Sequence, residues 1–308
     1  MMMKKFSVFM LALLIFAALS PAVVSGMDLE ITGGLGNISF DRDRASPLGD
    51  NDKTKTTSFK PNLFPFGVAK VSGEAGNSFN YNAGYERDPI LGNMVFGNIG
   101  ANLNFISLEA GPVIGLFNAG EKVNPGFSLA VGLEFPGIFF ARLKAGASLG
   151  NILSDSDDYS HKSGGISAGF WVPFAVCSIN METKSRANMK NAYLLIEDSL
   201  ERYYFRAQVY TKNVPYTIQV DFGFESLSRS YASESIDATP ALVRKTKTDE
   251  YKAIFLGLEA SYTIFPGLKA ILGARMPLYS WSVRPMQNPS KDTLLFSAHT
   301  GIIWTLMQ

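Results

Sequence analysis

The chain has one cysteine, Cys177, and only two histidines, His161 and His299. A single cysteine excludes an internal disulfide framework. So few soft ligands provide no spacing that would hold zinc, and neither a metal nor a cofactor is expected. The formal charge of +1 supplies no basic surface for nucleic acid. Long apolar runs are also missing. Beyond Gly26 none reaches about eighteen residues, which excludes a transmembrane helix.

The one apolar run lies at the start. Lys4 and Lys5 precede Phe6 to Leu19, Pro21 breaks the run, and Val24-Ser25-Gly26 offers small residues. This is the layout of a secretory signal peptide over residues 1–26, leaving one mature domain over 27–308. Cleavage would remove two lysines and keep the chain near neutral. No cysteine stands by the cleavage site to accept a lipid.

What the chain has in quantity is glycine, 28 residues, and phenylalanine, 23. They fall into a repeating pattern from Leu29 to Leu306. Phe127, Leu129, Val131, Leu133 and Phe135 alternate with Ser128, Ala130, Gly132 and Glu134. Similar alternation runs through Phe79–Tyr85, Val95–Phe105, Leu108–Leu116, Phe139–Leu149, Ile166–Val176, Tyr203–Val209, Tyr216–Phe224, Ile254–Ile264, Leu268–Met276 and Leu294–Leu306. Side chains alternate faces along a strand, so each segment has one apolar and one polar face. Two stretches are weaker: Leu63–Val71 carries Pro65, and Ala192–Ile196 is apolar on both parities. The shift of parity from Leu35 to Ile38 and Phe40 predicts a bulge at Gly36. Met181–Lys190 is polar throughout and reads as a loop, a short helix or a plug.

Short turns at Ile106-Ser107, Pro136-Gly137, Asn213–Pro215 and Pro266-Gly267 alternate with longer polar segments. Those begin at Asp41, Asn118, Ser154, Ser228 and Pro285. The fold class predicted is all-β: a closed antiparallel up-and-down transmembrane β-barrel of about 14 strands, or 12 if the weak ones drop out. A soluble sandwich also shows one apolar face. Two features favour the barrel. The clearest segments reach the nine to eleven residues a bilayer needs, and the formal charges keep to the non-apolar parity. Arg or Lys facing lipid at the midplane costs roughly 2–4 kcal/mol.

With the leader, the alternating strands and a terminal strand bearing Trp304, the chain resembles bacterial outer-membrane β-barrel proteins of the porin and transporter kind. That resemblance implies the cell outer membrane as location, and outer-membrane lipid and the barrel-assembly machinery as partners. Such proteins commonly end in an aromatic residue. Here the end is Leu306-Met307-Gln308, a variant that fits a divergent lineage such as the spirochaetes.

The inward parity supplies the pore-lining candidates: basic Arg142, Lys144, Arg202, Arg206, Lys269 and Arg275, and acidic Glu109, Glu134, Asp221, Glu225 and Glu259. Rings of such charges select ions by sign, or pair across strands and fill the interior. Each hairpin is expected to set acid against base, Glu134 beside Arg142 and Lys144, Glu259 beside Lys269 and Arg275. His161 falls in a polar loop and is expected to be solvated. His299 and Ser297 share the inward parity, but neither motif nor spacing makes a nucleophile pair, so no catalytic residue and no enzyme is predicted. The Gly33-Gly34-Leu35-Gly36 stretch lacks the Lys and Ser/Thr of a phosphate loop.

The reading that results is a passive channel or transporter for small solutes, a barrel of this strand number having room for a lumen. Two alternatives stay open. One is a closed structural or adhesive barrel acting through the loops Asp41–Lys60 and Ser228–Asp249. The other is uptake of hydrophobic, fatty-acid-like substrates past Phe64, Phe66, Phe96, Phe117 and Trp171.

Overall fold

Alternation along the chain becomes, in three dimensions, a wall with two chemically different faces. The computed structural model describes residues 24–37, 63–76, 78–117, 122–149, 159–191, 194–210, 214–235, 243–282 and 296–307. Among them run fourteen strands: β1 Val24–Gly36, β2 Phe64–Ala75, β3 Phe79–Asp88, β4 Gly92–Leu103, β5 Ile106–Phe117, β6 Lys122–Phe135 and β7 Phe139–Ser148, followed by β8 Tyr159–Val172, β9 Ala175–Asn191, β10 Leu194–Tyr210, β11 Tyr216–Ser235, β12 Val243–Phe265, β13 Leu268–Ser282 and β14 Ser297–Met307. Each pairs antiparallel with its neighbours in sequence, and β1 pairs with β14. The sheet is therefore a closed barrel without an edge, the architecture expected, at fourteen strands.

The outward parity carries the large apolar side chains. Ile99 is 71% exposed and Ile179 73%. A continuous surface of this kind is stable against hydrocarbon and drives association in water. Aromatic rings mark its two limits. Near the turn end Phe135 stacks between Phe105 and Phe139 at 5.1 and 4.8 Å, and Tyr216 lies opposite Tyr262. Further up, Trp281 packs against Phe224 and Tyr279. Tyr216 and Phe224 are eight residues apart on β11, roughly 27 Å of strand, which suits a hydrocarbon layer crossed at a tilt.

Short turns gather at the end that also holds Val24 and Met307. Phe135-Pro136-Gly137-Ile138 is a type II turn. Pro136 takes its second position, Gly137 its third with φ +75°, and Ile138 N donates to Phe135 O at 3.0 Å. Phe265-Pro266-Gly267-Leu268 repeats that order, with Gly267 at φ +89°.

Several expectations need correction. Met181–Lys190 lies within β9, so it is wall and not a plug. The Ser228–Asp249 loop is largely strand: β11 continues to Ser235 and β12 starts at Val243. The segments from Asn118 and Ser154 give way to strand at Lys122 and Tyr159. Ile166–Val176 is two strands, because Pro173 and Phe174 turn the chain between β8 and β9. Pro65 is tolerated as the second residue of β2, where a strand is just beginning. β1 keeps a regular register up to Gly36; the register shifts lie elsewhere, near Met27 on β1, between β9 and β10, and twice between β12 and β13. Ile254 faces Tyr279 while Phe255 faces Pro277, so Leu278 is the extra residue, and the register break sits beside a proline that cannot donate.

The loops Asp41–Lys60 and Pro285–Lys291, with Ile38 and Phe40, lie outside the described residues. So does most of the leader. β1 starts at Val24, three residues ahead of the expected mature start.

Candidate functional site: the lumen and its inward-folded tip

The inward parity lines the lumen, and one connection reaches across it. Residues 89–91 join β3 to β4 at the end opposite the termini, and they fold inward. Asp88 Oδ1 accepts from Ile90 N at 2.7 Å and from Leu91 N at 2.9 Å. A side chain capping its own turn in this way fixes the tip. Ile90 packs with Leu200, Leu227, Tyr251 and Ala253 of β10, β11 and β12. Lys184 Nζ of β9 bonds Asp88 Oδ2 at 2.5 Å. β3 and β9 stand six steps apart around the ring, so this ion pair spans the barrel.

From Lys184 a ladder of charges climbs the far wall. Lys184 also meets Glu182 at 3.0 Å and Glu86 at 3.8 Å. Arg202 joins Glu182 at 3.5 Å to Glu225 at 3.1 Å. Arg275 stands 3.7 Å from Glu225 and over the Phe255 ring at 5.3 Å. Two bidentate forks flank the ladder. Arg206 grips Asp221 at 2.8 and 2.9 Å, and Arg229 grips Asp198 at 2.6 and 2.9 Å. Bidentate guanidinium–carboxylate pairs are the strongest and most directional of their kind. Alternating signs let buried charges satisfy each other where water is scarce.

Beneath the tip lies a cavity of 520 Å³. The charged ladder forms one side. Phe64, Phe66, Ile271 and Ile303 contribute an apolar side. Of the eleven candidates named from parity, Arg202, Arg206, Asp221, Glu225, Glu259 and Arg275 line this cavity. Glu109, Glu134, Arg142, Lys144 and Lys269 share the inward parity but do not line it.

The partners differ from those expected. Arg142 pairs with Glu109 two strands away, at 2.6 Å, and not with Glu134. Arg275 turns to Glu225, and Glu259 takes His299 at 3.0 Å. Glycines on the inward parity explain the crossings. Gly273 lies in register between Glu259 and His299, and a Cβ there would collide with the His299 ring. Gly257 lies between Asp221 and Arg275. Gly165 separates Lys144 from Glu182, and a Cβ on it would stand 2.6 Å from Lys144 Cε. Where the middle strand has no side chain, long side chains from its two neighbours reach across it.

His161 is not solvated. It sits in β8 at 2% exposure, and a Cβ on Gly126 would lie 2.9 Å from its Nε2. Ser297 and His299 both line the cavity. Among the described residues no hydrogen bond joins them, and no group of three or more His, Cys, Asp or Glu is placed to hold a metal. Asp88, Lys184 and Glu182, which carry the cross-lumen contact, were absent from the parity candidates. Lys184 and Glu182 lie in the polar stretch of β9, and Asp88 in what reads as an ordinary turn.

No family model matches the chain, and no curated protein matches it. Among solved structures it is similar to a bacterial polysaccharide outer membrane secretin, at 12% identity over 90% of this chain and 98% of that one, TM-score 0.43. It is also similar to a loop-deletion mutant of OmpT, an outer membrane protein of Vibrio cholerae, at 9% identity over 92% and 98%, TM-score 0.38. A third is a mutant of the Rh. blastica porin, at 11% identity over 91% and 99%, TM-score 0.35.

Proposed function

We propose that the chain is a passive outer-membrane channel or transporter for small solutes, exported by its leader and inserted by the barrel-assembly machinery. The short turns then face the periplasm and the inward-folded tip lies in the outer half of the lumen. The observation that carries this reading is the 520 Å³ cavity below that tip, walled by charged side chains inside a fourteen-stranded barrel. A polar interior of this size is what a solute path requires. The tip makes the path narrow.

Single-channel recording in planar bilayers tests it. The wild-type barrel is expected to conduct in small steps. A variant with residues 88–91 replaced by a Gly-Gly turn is expected to conduct severalfold more. Two folded but silent barrels would overturn the reading. They would support a closed structural or adhesive barrel, for which the buried latch of Ile90 and Lys184 is the favouring observation. Hydrophobic uptake has weaker support. Phe64 and Phe66 line the cavity but Phe96 and Trp171 do not, so the inward aromatics form no continuous track.

A further inference from the structure

The cavity holds a carboxylate oxygen with no hydrogen-bond partner, beside a guanidinium held only by a long ion pair and a ring. Glu225 is 2% exposed. Its Oε2 accepts from Arg202, but its Oε1 has no hydrogen-bond partner. Arg275 beside it is 29% exposed, lies 3.7 Å from Oε2, and donates no hydrogen bond among the described residues. A buried polar atom without a partner costs free energy, and native proteins rarely leave one without a reason. Here a carboxylate oxygen without a partner and a guanidinium held only by a long ion pair and a ring stand side by side at the wall of a cavity.

We propose that this cavity binds a small zwitterion with an apolar body, an α-amino acid with a hydrocarbon side chain being the simplest member. The ligand's carboxylate meets Arg275, and its ammonium meets Glu225 Oε1. Its hydrocarbon lies against Phe64, Phe66, Ile271 and Ile303. Glutamate χ3 is a soft torsion, so a modest turn brings Oε1 toward the donor. The two groups differ in sign: Arg275 calls for an anionic group and Glu225 Oε1 for a cationic one, so a ligand that carries both meets each of them, while a simple ion meets only one. A zwitterion adds one charge of each sign. The cavity's size falls within the range of small-molecule sites. How the ligand arrives rests on the channel reading above, but the site itself does not.

Calorimetric titration of the folded barrel in detergent tests the inference. L-leucine is the probe, with leucinamide and N-acetylleucine as controls of equal body and single charge. Leucine is expected to bind, and each control about tenfold more weakly or worse. Glu225→Gln and Arg275→Gln should each weaken leucine binding about tenfold, with heat-modifiable gel mobility confirming their fold. Equal affinity for all three ligands, or no binding of leucine to folded wild-type barrel, overturns the proposal without any variant. Potassium chloride conductance is recorded on the same preparation. A conducting barrel that ignores leucine overturns this inference and keeps the channel. A silent barrel that binds leucine overturns the channel and keeps the site.

Discussion

Lys184 shows how differently two ion pairs in one barrel can count. It is 16% exposed and holds Asp88 and Glu182, both largely buried. Replacing Lys184 by Met takes the cation from buried Asp88 and leaves Glu182 with Arg202 alone. Losing one partner of a buried pair costs roughly 3–5 kcal/mol, so the temperature at which the folded gel band disappears should fall clearly. Arg142 is 49% exposed beside Glu109. Arg142→Gln should cost at most about 1 kcal/mol and leave that temperature nearly unchanged. Equal shifts in the two variants would show that Lys184 is not a latch. Gly273 sets a second residue-scale test. Gly273→Val drives the His299 ring off Glu259, and nuclear magnetic resonance of the His299 ring should report a changed environment. An unchanged His299 signal would show that the ring does not cross at Gly273.

At the scale of elements, β11 and β12 run 20 and 23 residues, about twice what a bilayer crossing needs. Their upper pairing continues to Ser235 opposite Val243. Backbone amides in 226–235 and 243–252 should therefore resist hydrogen exchange as a ladder does. Full exchange within seconds would mean a loop. This region also shows what could be read from sequence and what could not. From Tyr216 to Phe224 one face meets hydrocarbon and the other the lumen, so hydropathy alternates and parity is legible. From Ser226 to Ser235 the hydropathy contrast falls away: Ser226, Ser228 and Ser230 alternate with Leu227, Arg229 and Tyr231, so neither parity is consistently apolar. The strand persists through backbone pairing, which leaves no trace in hydropathy. Thr183 and Ser185 erase the contrast in β9 in the same way. The lumen contacts were less legible still. Parity assigns a charge to the inside but does not name its partner. Asp88 and Lys184 are 96 residues apart and meet only because the ring closes. The glycines that let Arg275 and His299 cross a strand were visible in the sequence, but their use depends on register.

For the whole molecule, an outer wall of Ile, Leu, Phe and Val sets the solvent. The folded protein is expected to need detergent or lipid, and to shift its gel mobility between unheated and boiled samples. A monomer that stays folded in plain buffer would remove the membrane reading and the channel with it. The parity argument carries over intact to this scale, because the face assigned to lipid at Phe127–Phe135 is the outward one in the barrel.

The seam between β1 and β14 has a consequence for how such a molecule can come into being. Thr305 Oγ1 donates to Asp28 Oδ1 across a separation of 277 residues, and the ladder around it joins the first strand made to the last. Until β14 arrives, β1 and β13 each present a full row of unpaired amides and carbonyls. Hydrocarbon does not tolerate such rows, so the strands cannot enter the membrane one at a time. A sheet that has not yet closed therefore needs both bare flanks sheltered from lipid, by each other or by a partner edge, until β14 pairs with β1.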